Sequence, residues 1–240
     1  MKTILITGAS HGVGRAFALA CAASGRYRKI ILNGGHDKAA LDETARRVSA
    51  AGDLVCAADI GDVGDLAYVQ GLRERFGPVD TLVNNAAISR VGLLADTSPE
   101  DWDLLMRTNV TALYNTCRTY TPDMVSAGGG QVLNVSSVWG EEGASCEVAY
   151  SAAKGAVNAF TRALARELAP SHVRVNAIAL GIIDTRMNAR LTEQEKAEIT
   201  EQIPAGYIAS PEEAAQAMLR LLEMPEYFNG EIVRFDGCWI

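Results

Sequence analysis

The sequence predicts an α/β fold, a doubly wound parallel sheet of about seven strands with helices on both faces. Three observations predict it. Short β-rich runs alternate with longer helical ones along the 240 residues, which calls for parallel strands joined by right-handed helical crossovers. Some runs are apolar throughout, Ile4-Leu5-Ile6 being the plainest, as strands buried on both faces require. That first run leads directly into a glycine-rich turn, Thr7-Gly8-Ala9-Ser10-His11-Gly12-Val13-Gly14, and then into a helical stretch.

The candidate strands are Thr3–Ile6, Lys29–Leu32, Leu54–Ala57, Thr81–Val83, Gln131–Val135, Arg174–Ala179 and Glu231–Phe235. Asn134 is a polar exception inside the fifth. Helical stretches lie near 13–24, 38–50, 63–76, 100–126, 149–169 and 211–223. Gly77-Pro78 and Gly128-Gly129-Gly130 close helices before the next strand. Ser210-Pro211-Glu212-Glu213 opens the last helix, with proline at its first position. The stretch 181–209 has no strand. It carries a polar helical segment, Leu191–Gln202, and is expected to cover the C-terminal edge of the sheet, where open α/β sheets bind ligands. No repeat or linker divides the chain, so one domain is expected over 1–240.

Composition narrows the partners. A chain of this length buries roughly three quarters of its unfolded surface. The net charge of −7 and pI near 5.1 argue against nucleic acid and anionic membranes, which reward basic surfaces. Met1-Lys2 runs into the first strand, which predicts no signal peptide. No apolar run is long enough to span a bilayer. Cysteines 21, 56, 117, 146 and 238 are widely spaced, without C-x-x-C. They read as thiols in a reducing cytoplasm. Histidines 11, 36 and 172 lie far apart, so no metal site is expected.

Two segments carry chemistry. Glycines at 8, 12 and 14, between strand and helix, let backbone approach a pyrophosphate at a helix N-terminus. Alone, such a turn also reads as a tight connection with no ligand. Tyr150 and Lys154 stand four residues apart and share a helix face. Ser137 lies thirteen residues before Tyr150. A free tyrosine titrates near 10, and a neighbouring cation is expected to lower that value toward neutrality. A serine hydroxyl beside them donates to a carbonyl oxygen as charge develops on it. Singly, these residues also read as a surface pair and a strand-end cap, and Asn109 as a polar residue inside a helix. Ser136 is the rival of Ser137, and the spacing favours the latter.

With these residues together, the chain resembles the short-chain dehydrogenase/reductase family over its whole length, and so implies a Rossmann-type sheet. The family's T-G-x-x-x-G-x-G turn matches 7–14. Asp59-Ile60, Asn84-Asn85-Ala86-Ala87 and Asn109-Val110 match further motifs, and Ser137, Tyr150 and Lys154 match its catalytic set. Ile182 to Met187, Ile203-Pro204, Pro211-Glu212-Glu213, Gly230 and Asp236-Gly237 are most similar to bacterial 3-oxoacyl-thioester reductases. The resemblance implies that Tyr150 is the acid and base. Lys154 tunes it and holds the cofactor ribose, Ser137 orients the carbonyl, and Asn109 orders a water that relays protons. It places Gly8, Ser10, His11, Gly12, Val13, Gly14, Asn33, His36, Asp59, Ile60, Asn85, Ala86, Ala87, Gly181, Ile183 and Thr185 at the cofactor, with Tyr150 and Lys154. Ser137, Trp139, Glu141 and Tyr150 are the candidate substrate contacts.

NADP(H) is favoured over NAD(H). The second strand ends Asn33-Gly34, without the carboxylate that bonds a ribose 2′-hydroxyl. His11 and His36 occupy slots where NADP-dependent relatives carry basic residues. The other reading of both is exposed loop. Glu141 and Glu142 are either a solvated turn or groups that face the pocket and disfavour anions. Trp139 is either an apolar wall or a loop anchor. The expected activity is reduction of a 3-oxoacyl thioester or similar ketone to a secondary alcohol. The alternatives are a sugar-alcohol, hydroxysteroid or other secondary-alcohol dehydrogenase, or a catalytically silent cofactor sensor. A homotetramer or homodimer is implied.

Overall fold

The computed structural model describes residues 2–240. Seven strands alternate with helices: β1 (Lys2–Ile6), α1 (Gly12–Ala23), β2 (Tyr27–Gly34), α2 (Lys38–Ala50), β3 (Val55–Ile60), α3 (Leu66–Phe76), β4 (Thr81–Asn84), α4 (Pro99–Met106), α5 (Ala112–Ser126), β5 (Gly130–Ser137), α6 (Val148–Leu168), β6 (Val173–Leu180), α7 (Glu193–Gln202), α8 (Pro211–Glu223) and β7 (Ile232–Phe235). All pairings are parallel, in the order β3-β2-β1-β4-β5-β6-β7. The chain winds outward from β1 to β3, then crosses back to β4 on the other side of β1. A crevice opens where the strand order reverses, at the C-terminal ends of β1 and β4.

Alternation along the strands divides the core. Ile4, Ile6, Ile30, Leu32, Leu133 and Ile178 pack with Phe17 and Cys21 of α1, Leu41 of α2 and Met218 of α8. Leu5, Ile31, Leu82, Val132 and Val175 pack against the opposite layer, with Leu72 of α3, Tyr120 of α5 and Val157 of α6. Each such side chain, fully buried, contributes roughly 1.5–3 kcal/mol. Helix starts follow local chemistry. Asp37 accepts from Ala40 N at α2, Asp65 from Ala67 N at α3, and Ser98 from Asp101 N at α4. Capping boxes, Thr192 with Glu195 and Ser210 with Glu213, open α7 and α8.

Strands β2 and β5 run two residues beyond the expected C-terminal ends, to Gly34 and Ser137, and α3 begins at Leu66 rather than near 63. The third strand runs on to Ile60, because Ala58, Asp59 and Ile60 pair with Leu32, Asn33 and Gly34. The helix expected over 100–126 is broken. Arg107–Thr111 forms a wide π-type turn between α4 and α5, a local device that often marks functional positions. Asn109 lies inside it. The excursion 181–209 is closed at its base by pairing of Ile183 with Ala209, and Asp184 N donates to Ala209 O at 3.0 Å.

Candidate active site

The glycine turn is shaped by close approach. Gly8 and Gly12 have φ of +66° and +52°, conformations that glycine adopts without strain. A β-carbon at Gly14 would lie 2.3 Å from Gly8 O and 2.5 Å from Asn85 Nδ2. Asn85 Nδ2 donates to Thr7 O at 2.9 Å and to Gly8 O at 3.1 Å. The Thr7 hydroxyl accepts from Asn85 N and Ala86 N, each at 3.0 Å. The crevice is therefore stitched across β1 and β4. His11 precedes α1 in an extended conformation and caps it with no side-chain bond. Ser10 Oγ is buried and has no hydrogen-bond partner among the described residues. Uncapped amides at a helix start, an unpartnered hydroxyl and a cradle without β-carbons fit a dinucleotide phosphate.

The reacting end lies beside it. Ser137 ends β5, and its Oγ accepts from Trp139 N at 3.2 Å. Tyr150 and Lys154, one turn apart on α6, are 9% and 3% exposed. Lys154 Nζ donates to Val135 O at 2.8 Å and lies 5.6 Å from the centroid of the Tyr150 ring. The neighbouring serines separate cleanly. Ser136 Oγ turns into α6 and donates to Asn158 Oδ1 at 2.6 Å, leaving Ser137 at the site. A β-carbon at Gly140 would lie 2.6 Å from the Lys154 carbonyl carbon, so the turn after Ser137 sits directly on α6. The Asn109 side chain clamps the loop after β4. Its Oδ1 accepts from Ile88 N and its Nδ2 donates to Ile88 O, both at 2.8 Å. The amide expected to order a water is thus committed to backbone. Asn109 and Lys154 do line a common cavity of about 10 Å³ with Thr7, Asn84 and Thr116, room for about one water.

Burial dominates the electrostatics. It lowers the Lys154 ammonium to about 8. It also raises the Tyr150 phenol above its ordinary value, and the Glu147 carboxylate adds to the rise. A hydrogen bond with Ser137 pulls the other way. The sequence reading expected the lysine to lower the phenol. Desolvation reverses that direction, because it disfavours phenolate and ammonium alike. The phenol is held in its protonated form, the one that can donate to a carbonyl oxygen, and parts with that proton less readily than a free tyrosine.

The remaining predicted residues fall into distinct groups. Gly8, Ser10, His11, Gly12, Val13, Gly14, Asn85, Ala86 and Ala87 form the turn and the facing loop. The Thr185 methyl reaches that turn, 3.2 Å from where a Gly12 β-carbon would stand. Ile183 is buried at the base of the excursion. A β-carbon at Gly181 would meet Asp236 Cβ at 2.8 Å. Asp59 accepts from Tyr68 Oη at 2.9 Å and pairs with Arg75. Ile60 packs beside Gly34. Asn33 turns inward, 1% exposed, and donates to Gly61 O at 3.0 Å and Tyr68 Oη at 3.1 Å. Its side chain fastens strand ends together. His36 is exposed. Glu141 is neither a solvated turn nor a free pocket carboxylate. It pairs with Arg234 Nε at 2.5 Å, while Glu142 takes Arg234 Nη2 at 2.9 Å. Trp139 meets Trp239 edge-on, with centroids 5.1 Å apart, and so anchors the loop.

Sequence reasoning missed the bridging role of Thr7, the clamp on Ile88, Arg186 beside His11, and Glu147. The signal for Glu147 was available. It lies three residues before Tyr150, nearly one helical turn away. Ser89 Oγ donates to its carboxylate at 2.7 Å.

The family model described as short chain dehydrogenase matches residues 2–196. The chain is 38% identical over 242 residues to the uncharacterized oxidoreductase YmfI of Bacillus subtilis, covering 99% of this chain and 98% of the relative. It is 35% identical over 242 residues to the 3-oxoacyl-(acyl-carrier-protein) reductase FabG of Chlamydia trachomatis, covering 98% and 96%. The crystal structure of a 3-oxoacyl-(acyl-carrier protein) reductase from Brucella melitensis superposes with a TM-score of 0.91 at 32% identity, covering 100% of this chain and 91% of that one. The chain belongs to the short-chain dehydrogenase/reductase family, oxidoreductases that interconvert ketones and secondary alcohols with NAD(P)(H).

Proposed function

We propose that the chain is an NADP(H)-dependent carbonyl reductase of the 3-oxoacyl-thioester type. The observation that carries this reading is the proximity of three buried groups, Tyr150 with Lys154 beside its ring and Ser137 in hydrogen-bond reach of its hydroxyl. The turn at 7–14, the loop 85–87, Asp59, Ile60 and the segment 181–185 would hold the dinucleotide, which supplies the hydride when bound. Ser137 donates a hydrogen bond to the substrate carbonyl and fixes its direction. Tyr150 Oη gives its proton to that oxygen as the alcohol forms. Lys154 titrates at about 8, close enough to neutrality to return a proton to the phenolate. Asn109 positions the loop after β4 through Ile88.

Exposed Val91, Leu93 and Leu94 follow that loop, and Gly92 N donates to Cys146 O at 2.8 Å just ahead of α6. They offer an apolar bed for an acyl chain. Glu147 supports a second reading, a neutral secondary alcohol whose hydroxyl donates to this carboxylate. The absence of a carboxylate at Asn33 or Gly34 supports NADP(H). Residues 1–240 act as one catalytic domain, with 181–209 as its cover. Trp102, Leu104, Tyr114 and Val125 are exposed on α4 and α5 and support assembly into a homotetramer. The five free thiols suit the cytoplasm.

The test is NADPH consumption with acetoacetyl-CoA, run beside NADH, a panel of neutral ketones and a Tyr150→Phe control. Turnover with the thioester that vanishes in the variant supports the reading. Turnover with neutral ketones alone overturns its thioester part.

A further inference from the structure

We infer that Arg186 is the residue that selects a 2′-phosphorylated dinucleotide, delivered from the cover segment rather than from the end of β2. The inference rests on the carbonyl reductase reading and deepens it. Arg186 lies near the start of the excursion over the site, one residue after Thr185, which rests on Gly12. Its guanidinium reaches across to the adenosine side of the crevice. Arg186 Nη1 lies 2.7 Å from His11 Nε2 and 3.6 Å from Asp37 Oδ2. Asp37 caps α2, directly after the end of β2, where the fold presents its ribose-recognition groups.

The charges around that point are few. Arg15 is turned away and committed, donating to Ser10 O at 2.6 Å, Thr44 Oγ1 at 3.0 Å and Ala40 O at 3.3 Å. Lys38 is engaged by Asp42 at 2.6 Å. His36 is an exposed imidazole. His11 Nε2 also lies 2.8 Å from Asp37 Oδ2. One ring nitrogen cannot donate to Asp37 and accept from Arg186 together. When that nitrogen donates to Asp37, Arg186 keeps only its 3.6 Å ion pair with the same carboxylate. Its side chain is 72% exposed.

This is the arrangement a phosphate would exploit. Without Arg186, the Asp37 carboxylate would face an incoming 2′-phosphate and repel it. With Arg186, that charge is offset and a guanidinium remains free to pair with phosphate oxygens, the geometry it suits best. The unpartnered Ser10 hydroxyl stands next to Gly34 at the end of β2, 2.3 Å from where a β-carbon there would lie. It is a further donor on the same side.

The experiment measures dissociation constants of NADP+ and NAD+ by calorimetry, for the unaltered chain, Arg186→Gln and Arg190→Gln. Arg190 is exposed on the same segment and controls for bulk charge. The expected result is a loss of about tenfold in NADP+ affinity in Arg186→Gln, the scale of one charge-assisted hydrogen bond. NAD+ affinity stays within about twofold, and Arg190→Gln changes neither. The NADP+ loss also shrinks as salt is raised. Equal losses for both dinucleotides would overturn the inference, because Arg186 would then grip a group they share. So would unchanged constants in Arg186→Gln, with the reductase reading left standing. Failure of the unaltered chain to bind either dinucleotide would overturn both.

Discussion

Replacing Lys154 by methionine removes a buried ammonium while keeping much of its volume. Burial takes this group from an ordinary 10.5 to about 8, a difference worth about 3 kcal/mol at about 1.36 kcal/mol per unit. The sign follows from proton counting. Between the two values the unfolded chain holds a proton that the folded chain has lost. Stability from this group is therefore gained as pH rises through that window, and lost as pH falls toward 8. From pH 7 to 9.5 the gain comes to about 2 kcal/mol. The buried thiols act oppositely. Burial raises Cys56 to about 11 and Cys117 to about 12, and raises Cys21 as well. They favour the fold below the ordinary thiol range and cease to as pH rises. The quantity to read is thus the difference between Lys154→Met and the unaltered chain, by urea unfolding at steps from pH 7 to 9.5. Packing and hydrogen-bond differences shift that comparison by a constant and leave its slope alone. The variant's advantage should shrink by about 2 kcal/mol across the range. Parallel curves would refute the claim that burial governs Lys154.

Three further outcomes are expected. Glu147→Gln removes a charge that holds the Tyr150 phenol up, so the rising limb of the pH profile for alcohol oxidation, where the phenol becomes the phenolate base, should move to lower pH; an unmoved limb would show that this carboxylate does not act on the phenol. Asn109→Ala strands both Ile88 backbone groups, and urea unfolding should register a loss of about 1–3 kcal/mol, while full stability would mean that water replaces the amide. Arg234→Gln frees Glu141 and Glu142 and loosens the contact between Trp139 and Trp239. Tryptophan emission should shift and KM should rise more than kcat falls; unchanged emission would show that the loop stands without this ion pair.

The parts of the site that were legible in the sequence are those encoded locally. Tyr150 and Lys154 are four residues apart on one helix, and the glycines of the first turn lie within one short connection. Their grouping follows from spacing, and the family resemblance supplies their roles. The strand pattern was equally readable, because both faces of each inner strand are apolar and parallel pairing leaves few topologies. Groups brought together from distant segments were not legible. His11, Asp37 and Arg186 come from three parts of the chain, and Glu141 meets Arg234 only because β7 joins the sheet beside β6. Asn33 shows the complementary limit. Its position at the strand end was clear, but its inward rotamer depends on Tyr68 of α3. The acidity of Tyr150 was misjudged for a related reason. Sequence shows the neighbouring charge and conceals the depth of burial.

The wide turn at Arg107–Thr111 has a consequence for the segment that follows it. Each residue advances an α-helix by about 100°, so one extra residue in a turn rotates everything after it by about that amount. Leu105 is buried before the break, and Ala112, Leu113 and Thr116 are buried after it, at intervals of seven, eight and eleven residues that uniform helical steps place within about 100° of one another. Shortening the turn by one residue would rotate α5 by about 100° relative to α4 and turn the wrong side of α5 toward β4 and β5. Chain length at this point is thus a constraint of its own, independent of which side chains the turn contains.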